Sequence, residues 1–167
     1  ASGISGGKGL AGHGATDYWV VKLADNGAKT WEQVCGGSGA EHSCEVQLAD
    51  DGGYAVAGRS NSGADGNKTA GPYGDYDFWL VRLAANGDKL WDVTFGGSGN
   101  DTGYALQTTA GGAWLLAGAS SSGVNGNKTS PNYGGLDFWV VKADASGAKV
   151  WDKSIGGLAQ DSVQAML

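Results

Sequence analysis

Residues 17–31, 77–91 and 137–151 are versions of one phrase, and successive versions begin 60 residues apart. The middle one reads Asp77-Phe78-Trp79-Leu80-Val81-Arg82-Leu83-Ala84-Ala85-Asn86-Gly87-Asp88-Lys89-Leu90-Trp91. A fixed period of this length is the mark of a repeat architecture, in which each unit buries its apolar faces on its neighbours. The chain divides into copies at 1–60, 61–120 and 121–167, the last incomplete, and reads as one repeat domain spanning 1–167.

Within each copy the phrase predicts two strands joined by a tight turn. Phe78, Leu80 and Arg82 alternate with Trp79, Val81 and Leu83, so both faces of the first strand are mainly apolar. A strand of that kind is covered on both sides. Asn26-Gly27 and Asn86-Gly87, varied as Ser146-Gly147, are hairpin signals. A third strand is predicted over 101–107, with 41–47 and 161–167 in register, and a fourth over 54–58 and 114–118. No helical period occurs. The fold class expected is all-β: blades of four antiparallel strands, about three repeats, of β-propeller type. A pseudo-threefold, β-trefoil-like closure is the alternative.

Composition narrows the function. The 32 Gly fit a repetitive β structure, and the 41% of apolar residues, grouped in strand-sized runs, argue against disorder. A net charge of −6 and a pI near 4.6 argue against a nucleic-acid partner. No apolar run approaches a membrane span. The opening Ala1-Ser2-Gly3-Ile4-Ser5 lacks the basic start and apolar stretch of a signal peptide, so the chain is expected to be cytosolic, mature and already processed, or a fragment. Cys35 and Cys44 lie outside the repeat pattern, facing Phe95 and Tyr104 in the next copy. Either they form a local disulfide across a short Gly-rich loop or they are two small core fillers.

The long polar loops at 1–16, 61–76 and 121–136 are the candidate functional face. They supply Asp65, Asn67, Lys68, Thr69, Tyr73 and Asp75 from the second copy, Asn127, Lys128, Thr129 and Tyr133 from the third, and His13 from the first. Amides, hydroxyls and aromatic rings together suit a sugar, whose hydroxyls they bond and whose apolar face a ring covers. The competing reading is that the recurring Gly-Asn-Lys-Thr is a turn the fold requires. Asp17, Asp77 and Asp137 recur at one repeat position, as calcium ligands or as carboxylates bonding loop N–H groups. No cofactor is expected unless it is calcium there. Trp19, Trp31, Trp79, Trp91, Trp139 and Trp151 are all in register and are expected between blades, with Trp114 packed as well. His13 and His42 are far apart in sequence and have no nucleophile beside them, so no catalytic residue is assigned.

Two stretches carry a resemblance. Leu23-Ala24-Asp25-Asn26-Gly27-Ala28-Lys29-Thr30-Trp31 looks like the tryptophan-docking turn of quinoprotein-type propellers, in which a turn precedes a Trp that locks adjacent blades. With Gly96-Gly97-Ser98-Gly99-Asn100-Asp101, Asp51-Gly52-Gly53-Tyr54-Ala55-Val56-Ala57-Gly58 and Gly66-Asn67-Lys68, the whole chain resembles the tandem propeller repeats, about 60 residues long, of large secreted bacterial proteins. The resemblance implies an extracellular location and transfers no catalytic residue. By analogy with the docking turn, the third strand of each copy is innermost, and residues 160–167 and 17–35 are two parts of a split blade. About three blades do not close a ring. The chain is therefore expected to pair as a homodimer that completes this blade, or to belong to a longer polypeptide.

The function expected is a non-catalytic extracellular binding or adhesion module, lectin-like, with carbohydrate or another cell-surface ligand as partner. A structural or assembly repeat is the alternative, and a polysaccharide-active enzyme using carboxylates such as Asp65 and Asp75 the third reading.

Overall fold

The computed structural model describes residues 6–161, the side chain of residue 44 excepted. Among the described residues all ten regular elements are strands: β1 Tyr18–Leu23, β2 Lys29–Cys35, β3 Glu41–Leu48, β4 Tyr54–Ser60, β5 Asp77–Leu83, β6 Lys89–Phe95, β7 Asp101–Thr109, β8 Ala113–Ser120, β9 Asp137–Ala143 and β10 Lys149–Ile155. They form three antiparallel sheets: the pair β1-β2, the meander β3-β4-β5-β6 and the meander β7-β8-β9-β10. Each sheet is a run of consecutive strands. Among the described residues no ladder joins one sheet to the next, which a trefoil-like closure would require. The third strand expected at 161–167 lies outside the described residues, apart from Asp161.

The strands begin where the sequence changes from turn residues to alternating Phe, Trp, Val and Leu. They end at Gly-Gly, at the hairpins or, for β4 and β8, where the long loops begin. At those hairpins the N–H of Gly27 donates to Ala24 and the N–H of Gly87 to Ala84, at 2.8 and 3.0 Å. Gly27, Gly87 and Gly147 have φ of 82°, 93° and 88°, while Asn26 and Asn86 stay at negative φ. The turn is therefore not the two-residue primed type, which needs positive φ at the first central position. A left-handed Gly instead follows the bend, and the ladder slips by one residue between Lys22 and Leu23 and between Arg82 and Leu83.

The sheets stack face to face, so the central sheet is covered twice. Phe78 and Leu80 of β5 face the third sheet, in a cluster with Phe95, Leu106, Trp114 and Trp139. Trp79, Val81 and Leu83 face the first sheet and meet Tyr18 and Cys35. All seven residues of β5 are buried. Each large apolar side chain placed there contributes about 1.5–3 kcal/mol. The aromatic contacts repeat from seam to seam: Tyr18 on Trp79 and Phe78 on Trp139, each with ring centroids 4.7 Å apart.

One sequence expectation needs correction. Trp19, in register with the buried Trp79 and Trp139, and Trp151, in register with the half-buried Trp31 and Trp91, are exposed, because they lie on the two outer faces of the stack. Of the two readings open for the cysteines, Cys35 takes that of a core filler: it is a free, buried thiol. It occupies the Phe95 position and fills the seam between the first and second sheets.

Candidate functional site

The long loops gather at one end of the sheets, and their side chains reach the neighbouring sheet. Asn67 accepts from the N–H of Gly36 at 2.9 Å and donates to the carbonyl of Val34 at 2.7 Å. One repeat later Asn127 bonds Gly96 and Thr94 in the same way, both at 2.9 Å. The Asp65 carboxylate accepts from the N–H and the hydroxyl of Ser38, at 2.7 and 2.6 Å. Those bonds hold its carboxyl below the usual carboxylate range.

Lys68 and Lys128 are buried. Each ammonium turns back to its own loop, Lys68 to the carbonyl of Ala70 and Lys128 to that of Ser130 at 2.7 Å. Each also reaches a strand hydroxyl, Thr94 at 3.3 Å and Ser154 at 2.8 Å. The same ammonium groups lie 5.8 Å from the Trp79 ring centroid and 5.7 Å from that of Trp139. Burial pushes both lysines below their ordinary pKa. Here the carbonyls and the π-face replace water.

Thr69 and Thr129 close onto carboxylates that sequence reasoning did not single out. Asp92 accepts from the N–H groups of Thr69 and Ala70 at 3.0–3.1 Å and from the indole N–H of Trp79 at 2.9 Å. Lys89 pairs with it at 2.5 Å. Burial opposes ionisation of Asp92, but these donors outweigh it and hold the carboxyl at about 2. Asp152 repeats the arrangement with Thr129, Ser130, Trp139 and Lys149, and its carboxyl is also held down against burial. Glu32 takes the place in the first copy, bonding Trp19 at 2.9 Å and Lys29 at 2.8 Å. The signal was present: an acidic residue follows the second Trp of every repeat.

The recurring Asp17, Asp77 and Asp137 cap the loops. Asp77 accepts from the N–H groups of Tyr73 and Gly74 at 2.8 and 3.3 Å, Asp137 from Tyr133 at 2.6 Å, and Asp17 from His13 at 3.1 Å. Beside Asp77 stands Asp101, which accepts from the N–H of Gly97 and the hydroxyl of Ser122 at 2.8 and 2.7 Å. Burial raises the Asp77 carboxyl to about 6, against the pull of the loop N–H groups and with Asp101 adding to the rise. Among the described residues no group of three or more His, Cys, Asp or Glu is placed to hold a metal ion.

Of the sequence-predicted residues, Asp65, Asn67, Lys68, Thr69, Asn127, Lys128 and Thr129 are thus engaged within the protein. Tyr73 and Asp75 on the second loop, His13 on the first and Tyr133 on the third face solvent. Two clefts lie away from this face. One of 420 Å³ runs between Trp19, Val20 and Val21 of β1 and Glu45, Val46 and Val56 of the central sheet. The other, of 260 Å³, lies at the opposite end, beside Asp51, Arg82 and Trp114. No protein-family model and no curated protein matches this chain.

Proposed function

We propose that this chain is a non-catalytic structural repeat of β-propeller type, a scaffold that extends by stacking like sheets. The observation that carries the reading is the Asn67 pin, repeated by Asn127: the most ligand-like side chains of the loops lock each repeat to the one before. Groups held in this way are not available to a ligand without breaking the seam between sheets. The test is a glycan array with the whole chain. The scaffold reading expects no signal above background; specific binding to one glycan class would sink it.

A lectin-like reading keeps one observation in its favour. Tyr73 and Tyr133 occupy the same position of successive loops and both expose their rings, a spacing that would support weak, multivalent sugar contacts. If sugar binding occurs, Tyr73→Ala and Tyr133→Ala should each weaken it and the double variant should abolish it.

A further inference from the structure

Copies of a repeat share the residues their common fold requires, so side chains that break the repeat and gather in one place call for another explanation. Four do so. Arg59 stands where the next copy has Ala119, His42 where it has Thr102 and Tyr76 where it has Leu136, and Tyr104 stands where the copy before has Cys44. Arg59 belongs to β4, His42 to β3 and Tyr104 to β7, and these three line one cleft between the second and third sheets, near the end of the strands that carries the long loops. Tyr76 immediately precedes β5.

Arg59 is the centre of the group. Its guanidinium lies 4.9 Å from the Tyr76 ring centroid, and the His42 ring lies 6.2 Å from the same ring. Among the described residues no carboxylate pairs with Arg59, and its Nε is buried without a hydrogen-bond partner. The other arginine, Arg82, is fully engaged by Asp51 and by the carbonyls of Tyr54 and Leu83. A half-buried guanidinium without an acceptor costs stability. Ala119 fills the same strand position in the next copy, so the fold does not need an arginine there.

The cleft beside Arg59 suits a small anion. Its volume is about 200 Å³, with Arg59, His42 and Ser43 contributed by the second sheet and Gly103 and Tyr104 by the third. Gly103 comes so close to β4 that a Cβ there would stand 2.8 Å from the carbonyl oxygen of Gly58. The β7-β8 ladder slips between Gly103 and Ala105, and Tyr104, the residue at the slip, is 43% exposed. A bulge re-aims a side chain in this way. Among the described residues no Asp or Glu lines the cleft. Guanidinium, imidazole and hydroxyl groups all donate hydrogen bonds, and a guanidinium takes a carboxylate or a phosphate on two parallel N–H bonds.

We infer that this cleft binds an oxyanion, a carboxylate or phosphate group carried by a small aromatic molecule. Arg59 takes two oxygens of the anion, braced by the Tyr76 ring. His42 and Ser43 donate to the same group, and the exposed Tyr104 ring packs on the ring of the ligand. The site goes beyond the scaffold reading and does not depend on it: the loops stay locked to their neighbours while the strands below them bind.

Isothermal titration of the whole chain with phenyl phosphate, benzoate and inorganic phosphate tests it. Phenyl phosphate or benzoate should bind with a millimolar or lower dissociation constant, and the tighter of the two identifies the anionic group. Arg59→Ala should weaken binding about tenfold or more, and the melting temperature of the free protein should stay the same or rise, because an unpaired cation has been removed. Arg59→Lys keeps the charge but not the fork and should weaken binding about fivefold. Tyr104→Ala should weaken phenyl phosphate and benzoate and leave inorganic phosphate unchanged. No binding of any of the three at about 10 mM overturns the site. So does binding to Arg59→Ala or Arg59→Lys as tight as to the wild type. A Tyr104→Ala variant that binds both aromatic anions as tightly as the wild type overturns the aromatic part of the assignment.

Discussion

Trp31 docks its indole on Gly87, 56 positions later, after the chain has passed through the inner strands of the second sheet. The contact needs a residue without a side chain, in the left-handed region, with its carbonyl neighbours turned outward. It converts a local hairpin into a long-range lock between sheets.

Gly87 and Gly27 adopt the same backbone, with φ of 93° and 82°, but only Gly87 has a ring against it. Ala at Gly27 should cost about 1 kcal/mol, the strain of an L-residue at positive φ. Ala at Gly87 should cost that and about 1–2 kcal/mol more, since the ring must move. Urea denaturation of both variants checks the difference, and equal costs would remove the docking contact as a source of stability.

Asp92 gathers an ammonium, an indole N–H and two loop N–H groups on one carboxylate. Asp92→Ala leaves these donors unpaired and should destabilise by about 3 kcal/mol. The ionised form carries the stability: the folded carboxyl sits at about 2, below its unfolded value of 3.8. This contribution is therefore complete above pH 3.8 and is lost as the pH falls toward 2. The acid limb of a melting-temperature profile should flatten in an Asp92→Asn variant.

Asp77 has the opposite sign. Its folded carboxyl is raised to about 6 from 3.8, so the folded state holds more protons between those values. Stability falls as the pH rises through this window, and the full cost applies by pH 7. Asp77→Asn keeps an acceptor for Tyr73 and Gly74 and removes a buried charge beside Asp101 and Lys68. It should raise the melting temperature at pH 8, by on the order of 1–3 kcal/mol in stability, and change little at pH 4. A variant less stable than wild type at pH 8 would show that the charge itself is needed.

The Cys35 thiol is buried and pushed up to about 12, chiefly by loss of solvent. Peptide mapping after brief maleimide treatment at pH 8 should find residue 35 unmodified in native protein and labelled in urea. Rapid native labelling would mean that the first seam opens readily.

Much of the fold was legible because periodicity is a local property. Alternation along 77–83 identified a strand covered on both faces, and the burial of all seven residues of β5 agrees with it. The loop residues were harder to judge. Asn67, Lys68 and Asp65 have the chemistry of a binding site, and the sequence alone does not show that Gly36, Thr94 and Ser38 wait within reach. The capping carboxylates Asp92 and Asp152 were legible as a repeated acidic position but had no evident role until the loops folded over them.

By itself the sequence determined the unit: four short strands, a left-handed Gly in the hairpin, a Trp on each outer strand and a 60-residue period. Those features follow from side-chain alternation and backbone sterics, which act over a few residues. The tertiary structure decided which copies of a repeated residue are buried. Trp79 and Trp19 are the same residue in the same strand position, yet one is sealed and the other half open. Burial depends on what lies across the seam, and only the stacking of the sheets supplies that neighbour.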